Sequence, residues 1–364
     1  MKKDPVCKMP VEEENAITTN YKGKIYYFCS EGCKEKFEAN KLKQRSSDRF
    51  DLIIIGGGPA GLTAAVYASI LKMKAFLIAD GLGGQAIDST KIENYMGFDF
   101  ITGPELVKKF HYQLINSHYI DHLISEVELI DPVDGGFVIT TSEMKKYFAK
   151  AIIISTGMKK RKLSMPGEKK FQRKGIFYGN LQDLSFVQDG DAAVIGGGNS
   201  ALQIVDNLHT LSRKIYLISD TELTADALLI ERIKRFKNLN LFEEHKAVKF
   251  SGSNVLSTIT IRKNGKKELI KLPVSGAFVA IGLIPNSSLV SKLVELNERG
   301  EIIINQDCST SYPGIYAAGD VTNASGKRII IAAGEGAKAA MAARQYILNV
   351  KKTTSNENRL ENET

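Results

Sequence analysis

The sequence predicts an α/β protein of three parts: two three-layer domains of parallel strands and helices, one inserted in the other, behind a small cysteine-bearing module. Three observations predict it. A run over residues 51–55, apolar after Asp51, ends at Gly56, Gly58 and Gly61. A second run over residues 192–195 ends at Gly196, Gly197 and Gly198, followed by Asn199, Ser200 and Ala201. Three of the four cysteines, Cys7, Cys29 and Cys33, fall near the N-terminus. Both glycine turns follow one physical logic. A buried strand ends where the backbone angles suit glycine, and bare amides at the next helix N-terminus offer partial positive charge to an anion. One such turn is a weak signal. Two, with Asp80 and Asp220 about 20 positions downstream of them, read as two dinucleotide sites.

The elements follow in order. Residues 1–45 form the module, and the polar, basic stretch 41–48 marks a boundary. Residues 46–160 begin the first domain: a strand at 51–55, then a helix at 59–71 with Ala64, Ala65, Ala68 and Leu71 at helical spacing. A strand at 74–79 closes at Asp80, where a carboxylate can accept ribose hydroxyls. Residues 123–130, 136–141 and 147–154 read as a strand meander. The inserted domain spans 161–273, with a hairpin signal at Asn264 and Gly265 between two alternating runs. Crossings at 151–157 and 278–282 carry Gly157 and Gly282. The first domain resumes over 274–350, where a strand at 315–318 closes at Gly319 and Asp320 and a helix covers 337–347. Asp320 reads as a ligand contact at a strand end or as a turn cap. Residues 351–364 are polar and expected to be disordered.

The two turns, the Gly83, Gly84, Gln85 and Ile92, Glu93, Asn94, Tyr95 stretches, and the run from Gly314 to Asp320 together resemble one family. It holds the low-molecular-weight thioredoxin reductases and the flavoprotein subunit of alkyl hydroperoxide reductase, and the resemblance covers about residues 50–350. It implies two Rossmann-like domains, the first for FAD and the second for a nicotinamide cofactor. It places Gly56, Gly58, Pro59, Ala60 and Gly61 at the FAD pyrophosphate and Asp80 at its ribose. Gly84, Gln85 and Asn94 would lie along the ribityl chain and flavin ring, Gly319 and Asp320 at a ribityl hydroxyl, and Lys327, Arg328 and Ile329 at the pyrimidine end. Gly196, Gly198, Asn199, Ser200 and Ala201 would hold the second pyrophosphate, with Asp220 beyond them and Gly157 and Gly282 at the crossings. The resemblance also implies a homodimer.

The second domain favours NADH over NADPH. A 2′-phosphate needs cations, whereas a free 2′-hydroxyl suits a carboxylate. Family members that use NADPH carry a His-Arg-Arg run and a further arginine there. Residues 217–224 hold no basic residue here, and Asp220 and Glu222 would repel a phosphate. Arg213, Lys214, Arg232 and Arg235 are the cations that could fold back and reverse the preference.

One departure matters most. Thioredoxin reductases place Tyr-Cys-x-x-Cys-Asp at the mouth of the nicotinamide domain. Residues 178–183 keep Tyr178 and Asp183 but set Gly179 and Gln182 where the cysteines belong. Without a thiolate, no thiol–disulfide exchange runs at that position.

Cys7, Cys29 and Cys33, with Tyr26, Tyr27, Phe28 and Phe37 around them, resemble a YHS domain, a treble-clef-like module of heavy-metal handling proteins. Three soft thiolates suit zinc, copper or iron. No histidine lies in the module, so water, Asp4, Glu31 or Met9 is the expected fourth donor, an open site suited to metal passage. A redox-active Cys29 and Cys33 pair and inert thiols remain alternatives. His111, His118, His122, His209 and His245 show no ligand spacing, though His118 and His122 could share a helix face. Cys308 reads as a small buried residue.

At 364 residues and 43% hydrophobic, with no apolar run near membrane-spanning length and no signal peptide, the chain is expected to be cytoplasmic. Its net charge of +8 is spread along the chain, and the basic run 159–162 reads as a solvated hinge. No aromatic interleaving points to nucleic acid. The expected activity is hydride transfer from NADH to flavin and on to a non-dithiol acceptor, a metal ion or small redox protein. A disulfide or peroxiredoxin reductase using the module thiols, a ferredoxin–NAD(P) reductase-like enzyme and a metal-binding redox sensor are the alternatives.

Overall fold

In the computed structural model the module pairs β1 (Ile17–Tyr21) with β2 (Lys24–Phe28) in an antiparallel ribbon, followed by α1 (Glu31–Leu42). The described residues are all except 1, 8, 14, 15, 22, 23, 43–47, 90, 118, 179–183, 185 and 362–364. Phe28 is fully buried, and Phe37 of α1 lies with its ring 5.2 Å from it and 4.7 Å from Tyr26. Burying one such side chain contributes about 1.5–3 kcal/mol toward holding the ribbon against the helix.

The run at residues 51–55 becomes β3 (Arg49–Ile55), continuously apolar and buried from Leu52 to Ile55, where both its faces are covered. The glycine turn leads into α2 (Pro59–Ile70), then β4 (Ala75–Ala79), α3 (Gly103–Ile115) and β5 (Ile120–Ile124). β6 (Val127–Val133), β7 (Gly136–Thr141) and β8 (Lys146–Ile154) follow as the meander. The sheet order is β5-β4-β3-β8-β7-β6. β5, β4, β3 and β8 run parallel, and β7 and β6 turn back antiparallel. The stretch expected as one strand over 123–130 is thus two. β5 extends the parallel layer, and only β6 belongs to the meander.

A second unit, Lys159–Ile284, has its own sheet. Its strands are β9 (Ile176–Phe177), β10 (Asp191–Ile195), β11 (Lys214–Ile218), β12 (Leu239–Phe242) and, after an antiparallel trio, β16 (Gly276–Val279). The order β9-β16-β10-β11-β12 is parallel throughout. Helices α4 (Asn199–Leu208) and α5 (Ala227–Lys234) lie between its strands in sequence. The trio is β13 (His245–Gly252), β14 (Leu256–Lys263) and β15 (Leu269–Pro273), with Gly265 at a positive φ of 73° in the predicted hairpin. The expected boundary at 273 falls short, because β16 pairs with β10 and carries the unit on to Ile284.

The first unit comprises Met1–Met158 and Pro285–Thr364. In its returning part, β17 (Ile315–Ala317) pairs parallel with β8, and α6 runs over Ile329–Glu361. The helix expected over 337–347 therefore starts eight residues sooner and continues through most of the stretch expected to be disordered. Residues 362–364 of that stretch lie outside the described set. α6 packs on α2, and the approach is close: a Cβ on Gly336 would lie 2.0 Å from the Ala60 carbonyl oxygen. Among the described residues no helix is long and apolar enough to cross a membrane.

Candidate functional site

The first turn is built for an anion. Gly56 sits at φ 114°, and a Cβ there would meet the Ser155 carbonyl oxygen at 2.3 Å. A Cβ on Gly61 would come 1.9 Å from the Gly56 carbonyl oxygen, so glycine alone lets α2 begin this close to β3. No side chain caps α2 at Gly58, and Pro59 opens the helix, so its first amides are left for a phosphate. Ala60 is buried beside the turn. Asp80 is exposed directly beyond β4. Gly83 donates its N–H to the Gly57 carbonyl at 2.7 Å, and a Cβ on Gly84 would approach the Gly58 Cα to 2.9 Å. The Gln85 side-chain amide donates to the Met158 carbonyl at 3.0 Å, and Asn94 is exposed. The donor set and the bare helix start fit FAD.

The returning segment brings two acidic groups, the expected Asp320 and Glu335, which sequence reasoning did not single out. Asp320 is half-buried after Gly319, and burial raises its pKa. Glu335, buried on α6, accepts the Gly319 N–H at 2.6 Å, and desolvation raises its pKa as well. The signal for Glu335 was its place between Gly334 and Gly336. Lys327 pairs with Glu301 at 3.1 Å and donates to the Thr322 carbonyl, while Arg328 donates to the Lys327 carbonyl at 2.9 Å. Ile329 is the first residue of α6. Gly157 accepts the Asn286 N–H at 2.9 Å.

In the second unit, Gly196 stands at φ 139°, where a Cβ would meet the Ala280 carbonyl oxygen at 2.2 Å. No side chain caps α4 at Gly198. Asn199 exchanges two hydrogen bonds with Asp226, at 3.0 and 2.8 Å; Ser200 is exposed and Ala201 buried. Asp220 and Glu222 lie exposed past the end of β11. Arg213 precedes β11 at its opposite end and pairs with Asp191 at 2.9 Å, while Arg232 pairs with Asp206 at 2.8 Å. Two of the four cations that could have reversed the nucleotide preference are therefore engaged elsewhere. Gly282 accepts the Arg161 N–H at 3.0 Å. Gly179, Gln182 and their neighbours at 179–183 lie outside the described residues, and the absence of cysteine there is a fact of sequence. Tyr178 donates its hydroxyl to Glu168, and desolvation with that contact pushes its pKa up.

The module's three cysteines converge, and a fourth donor joins them. Cys7 Sγ is 3.5 Å from Cys29 Sγ, and Cys29 Sγ is 3.8 Å from Cys33 Sγ. His111, on α3, brings Nδ1 to 3.9 Å from Cys29 Sγ and Nε2 to 3.5 Å from Cys33 Sγ. Cys7, Cys33 and His111 are 1%, 0% and 2% exposed, and Cys29 is half-buried. The contacts to Cys33, Cys7 and His111 hold the Cys29 thiol well below its ordinary range, while the contact to Cys29 pushes Cys7 and Cys33 up.

The expected fourth donors do other work. Asp4 is fully buried, and its carboxylate accepts the N–H groups of Val6 at 2.7 Å, Cys7 at 3.2 Å and Cys29 at 2.8 Å. It ties the two cysteine knuckles together, and burial raises its pKa. Glu31 is exposed and pairs with Lys34, and Met9 packs on the core. His122 lies in the strand β5, not on a helix, with Nε2 3.2 Å from the Val6 carbonyl oxygen; His118, its expected companion, lies outside the described residues. A cleft of about 1000 Å³ opens beside Cys29, lined by Tyr95, Phe98, Lys109, Phe110 and His111 among others.

Both parts have counterparts among known proteins. The family described as pyridine nucleotide-disulphide oxidoreductase matches residues 50–345, and the YHS domain matches residues 2–43. An alkyl hydroperoxide reductase subunit of Staphylococcus epidermidis is 36% identical over 305 residues, 83% of this chain and 60% of that protein. A protein named NADH dehydrogenase from Ferdinandcohnia aciditolerans is 31% identical over 319 residues, 85% of this chain and again 60% of that protein. The chain thus spans about 60% of the length of these relatives. Among solved structures, Lactococcus lactis thioredoxin reductase in its FR conformation superposes with a TM-score of 0.72 at 31% identity, covering 82% of this chain and 99% of that one.

Proposed function

The chain belongs to the pyridine nucleotide-disulphide oxidoreductase family, and from that premise we propose that it is an FAD-dependent NADH oxidoreductase whose acceptor is not a dithiol. The observation that carries this reading is the exchange of both redox cysteines for Gly179 and Gln182 in a chain whose remaining cysteines are Cys308 and the module's three.

FAD and NADH, when bound, supply the hydride chemistry. The chain's residues bind, orient and shield. The uncapped start of α2 would hold the FAD pyrophosphate and Asp80 its ribose. Gly84, Gln85 and Asn94 would lie along the ribityl chain and flavin ring, and Asp320 would take a ribityl hydroxyl, while Glu335 holds the Gly319 amide that sets the turn. In the second unit the start of α4 takes the nicotinamide cofactor's pyrophosphate. Asp220 would accept a free 2′-hydroxyl, and Arg213 and Arg232 are engaged in ion pairs with Asp191 and Asp206.

A second reading concerns the acceptor. The module's thiolates present a metal ion, iron or copper, as the species reduced; the cleft that reaches Cys29 favours it. A homodimer in the cytoplasm completes the proposal. Anaerobic addition of NADH should bleach the flavin. Mixing the reduced protein with ferric or cupric ion, a dithiol protein, a ferredoxin, quinone or dioxygen then identifies the acceptor. Rapid reoxidation by the dithiol protein in a Cys29→Ser, Cys33→Ser variant would overturn the reading.

A further inference from the structure

Helix α3 touches two regions that the sequence keeps apart. Its start is fixed by a capping box, in which Thr102 N–H donates to the Glu105 carboxylate at 3.0 Å and Glu105 N–H to the Thr102 hydroxyl at 3.4 Å. Val107 packs against the loop expected at the flavin: a Cβ on Gly83 would lie 2.8 Å from its Cγ1. One turn on stands His111, among the cysteines. One turn further, Ile115 packs against the module, with its Cδ1 2.4 Å from where a Cβ on Gly32 would lie. Val107, His111 and Ile115 share one face over about 12 Å of helix.

We propose that Cys7, Cys29, Cys33 and His111 form a closed four-donor site for a thiophilic divalent ion, shared between the module and the FAD domain, so that the ion fastens the module to α3. The four donor atoms lie within 4.8 Å of one another. For metal–sulfur bonds of about 2.3 Å, the edge of a regular tetrahedron is about 3.8 Å. The Sγ–Sγ separations of 3.5 and 3.8 Å and the Sγ–N separation of 3.5 Å already match such edges. Three sulfurs and one imidazole nitrogen are a known set for tetrahedral zinc. Burial excludes water from Cys7, Cys33 and His111, and Asp4 orders the backbone of Cys7 and Cys29 behind them. Such a site retains its ion, in contrast to the open passage site that the three cysteines alone suggest. The inference shares with the second reading above only the premise that the module holds a metal; flavin reduction by NADH is independent of it.

The test uses the full chain with FAD bound, under anaerobic reducing conditions, stripped of metal and then titrated with Co²⁺ or Zn²⁺. Expected are one ion per flavin, a Co²⁺ spectrum of tetrahedral intensity with thiolate charge-transfer bands, and X-ray absorption of the Zn²⁺ form showing three sulfurs and one imidazole. Zn²⁺ should slow hydrogen exchange in both α1 and α3. His111→Gln should weaken Co²⁺ binding by roughly tenfold or more and uncouple the two helices, and His111→Cys should restore tetrahedral binding with a stronger charge-transfer band. Flavin content and bleaching by NADH report folding in each variant. Wild-type affinity and spectrum in His111→Gln, no imidazole in the wild-type Zn²⁺ form, or no ion bound by the wild type would each overturn the proposal. None of these outcomes touches the NADH chemistry, so the two claims fail separately.

Discussion

Residues 178–183 and the N-terminal module stand in contrast over sulfur. The first keeps the tyrosine and aspartate that flank a redox dithiol but has lost both thiols; the second gathers three thiols within 4 Å of a neighbouring donor. The difference teaches that a family fold does not fix where a chain places its thiols. What remains at the glycine turns is hydride machinery. What collects at the module is a set of donors, three thiols and one imidazole, whose ligand atoms lie within 4.8 Å of one another.

The largest expected effect separates the two regions outright. Cys29→Ser with Cys33→Ser should weaken metal binding at the module by at least about a hundredfold. It should leave the rate of flavin bleaching by NADH within about twofold of wild type, as stopped-flow absorbance would show. A large loss of bleaching would tie the thiols to hydride transfer and dissolve the contrast. Next is the close contact of α6 with α2. Gly336→Ala places a Cβ against the Ala60 carbonyl and should cost about 1–3 kcal/mol, visible as a lowered Tm and reduced FAD content. Nucleotide preference follows: NADH should exceed NADPH in kcat/KM by at least about tenfold, or about 1.4 kcal/mol, and Asp220→Ala should narrow that ratio. Equal efficiencies in the wild type would show that cations reach the 2′-phosphate.

Two titrations give the smallest effects. Cys308 is fully buried, and desolvation pushes its pKa up to about 11, so it stays a neutral thiol at pH 7–9. It should resist DTNB until the protein unfolds, whereas prompt labelling would contradict its burial. Glu335 has a folded pKa raised by burial, so the native state binds its proton more tightly than the unfolded chain. Its contribution to stability is therefore present at low pH and lost as pH rises from the ordinary carboxyl value of 4.5 through the raised folded value. Glu335→Gln should flatten that fall in thermal unfolding of the FAD-free protein.

The sequence made legible what is local. Each strand, turn and helix start of the two glycine motifs lies within a single run of residues, and β3, α2, β10 and α4 fall where that logic puts them. β16 was less visible, because its place is decided by pairing with β10, far away in the chain. The fourth donor was hidden for the same reason. His111 lies 78 positions from Cys33, and only the docking of the module on α3 unites them. A faint signal existed: His111 sits on the apolar stripe of Leu106, Val107, Leu114 and Ile115, where a lone histidine calls for a partner. Asp4 misled in the opposite direction, since its carboxylate is spent on backbone amides.

The most direct test of the central claim is an anaerobic NADH titration of metal-stripped protein, followed at the flavin absorbance. A flavin with no dithiol relay holds two electrons, so one equivalent of NADH per FAD should complete the bleaching, in the wild type and in the Cys29→Ser, Cys33→Ser variant alike. A requirement for two equivalents in the wild type, falling to one in the variant, would reveal a disulfide in the electron path and contradict the account.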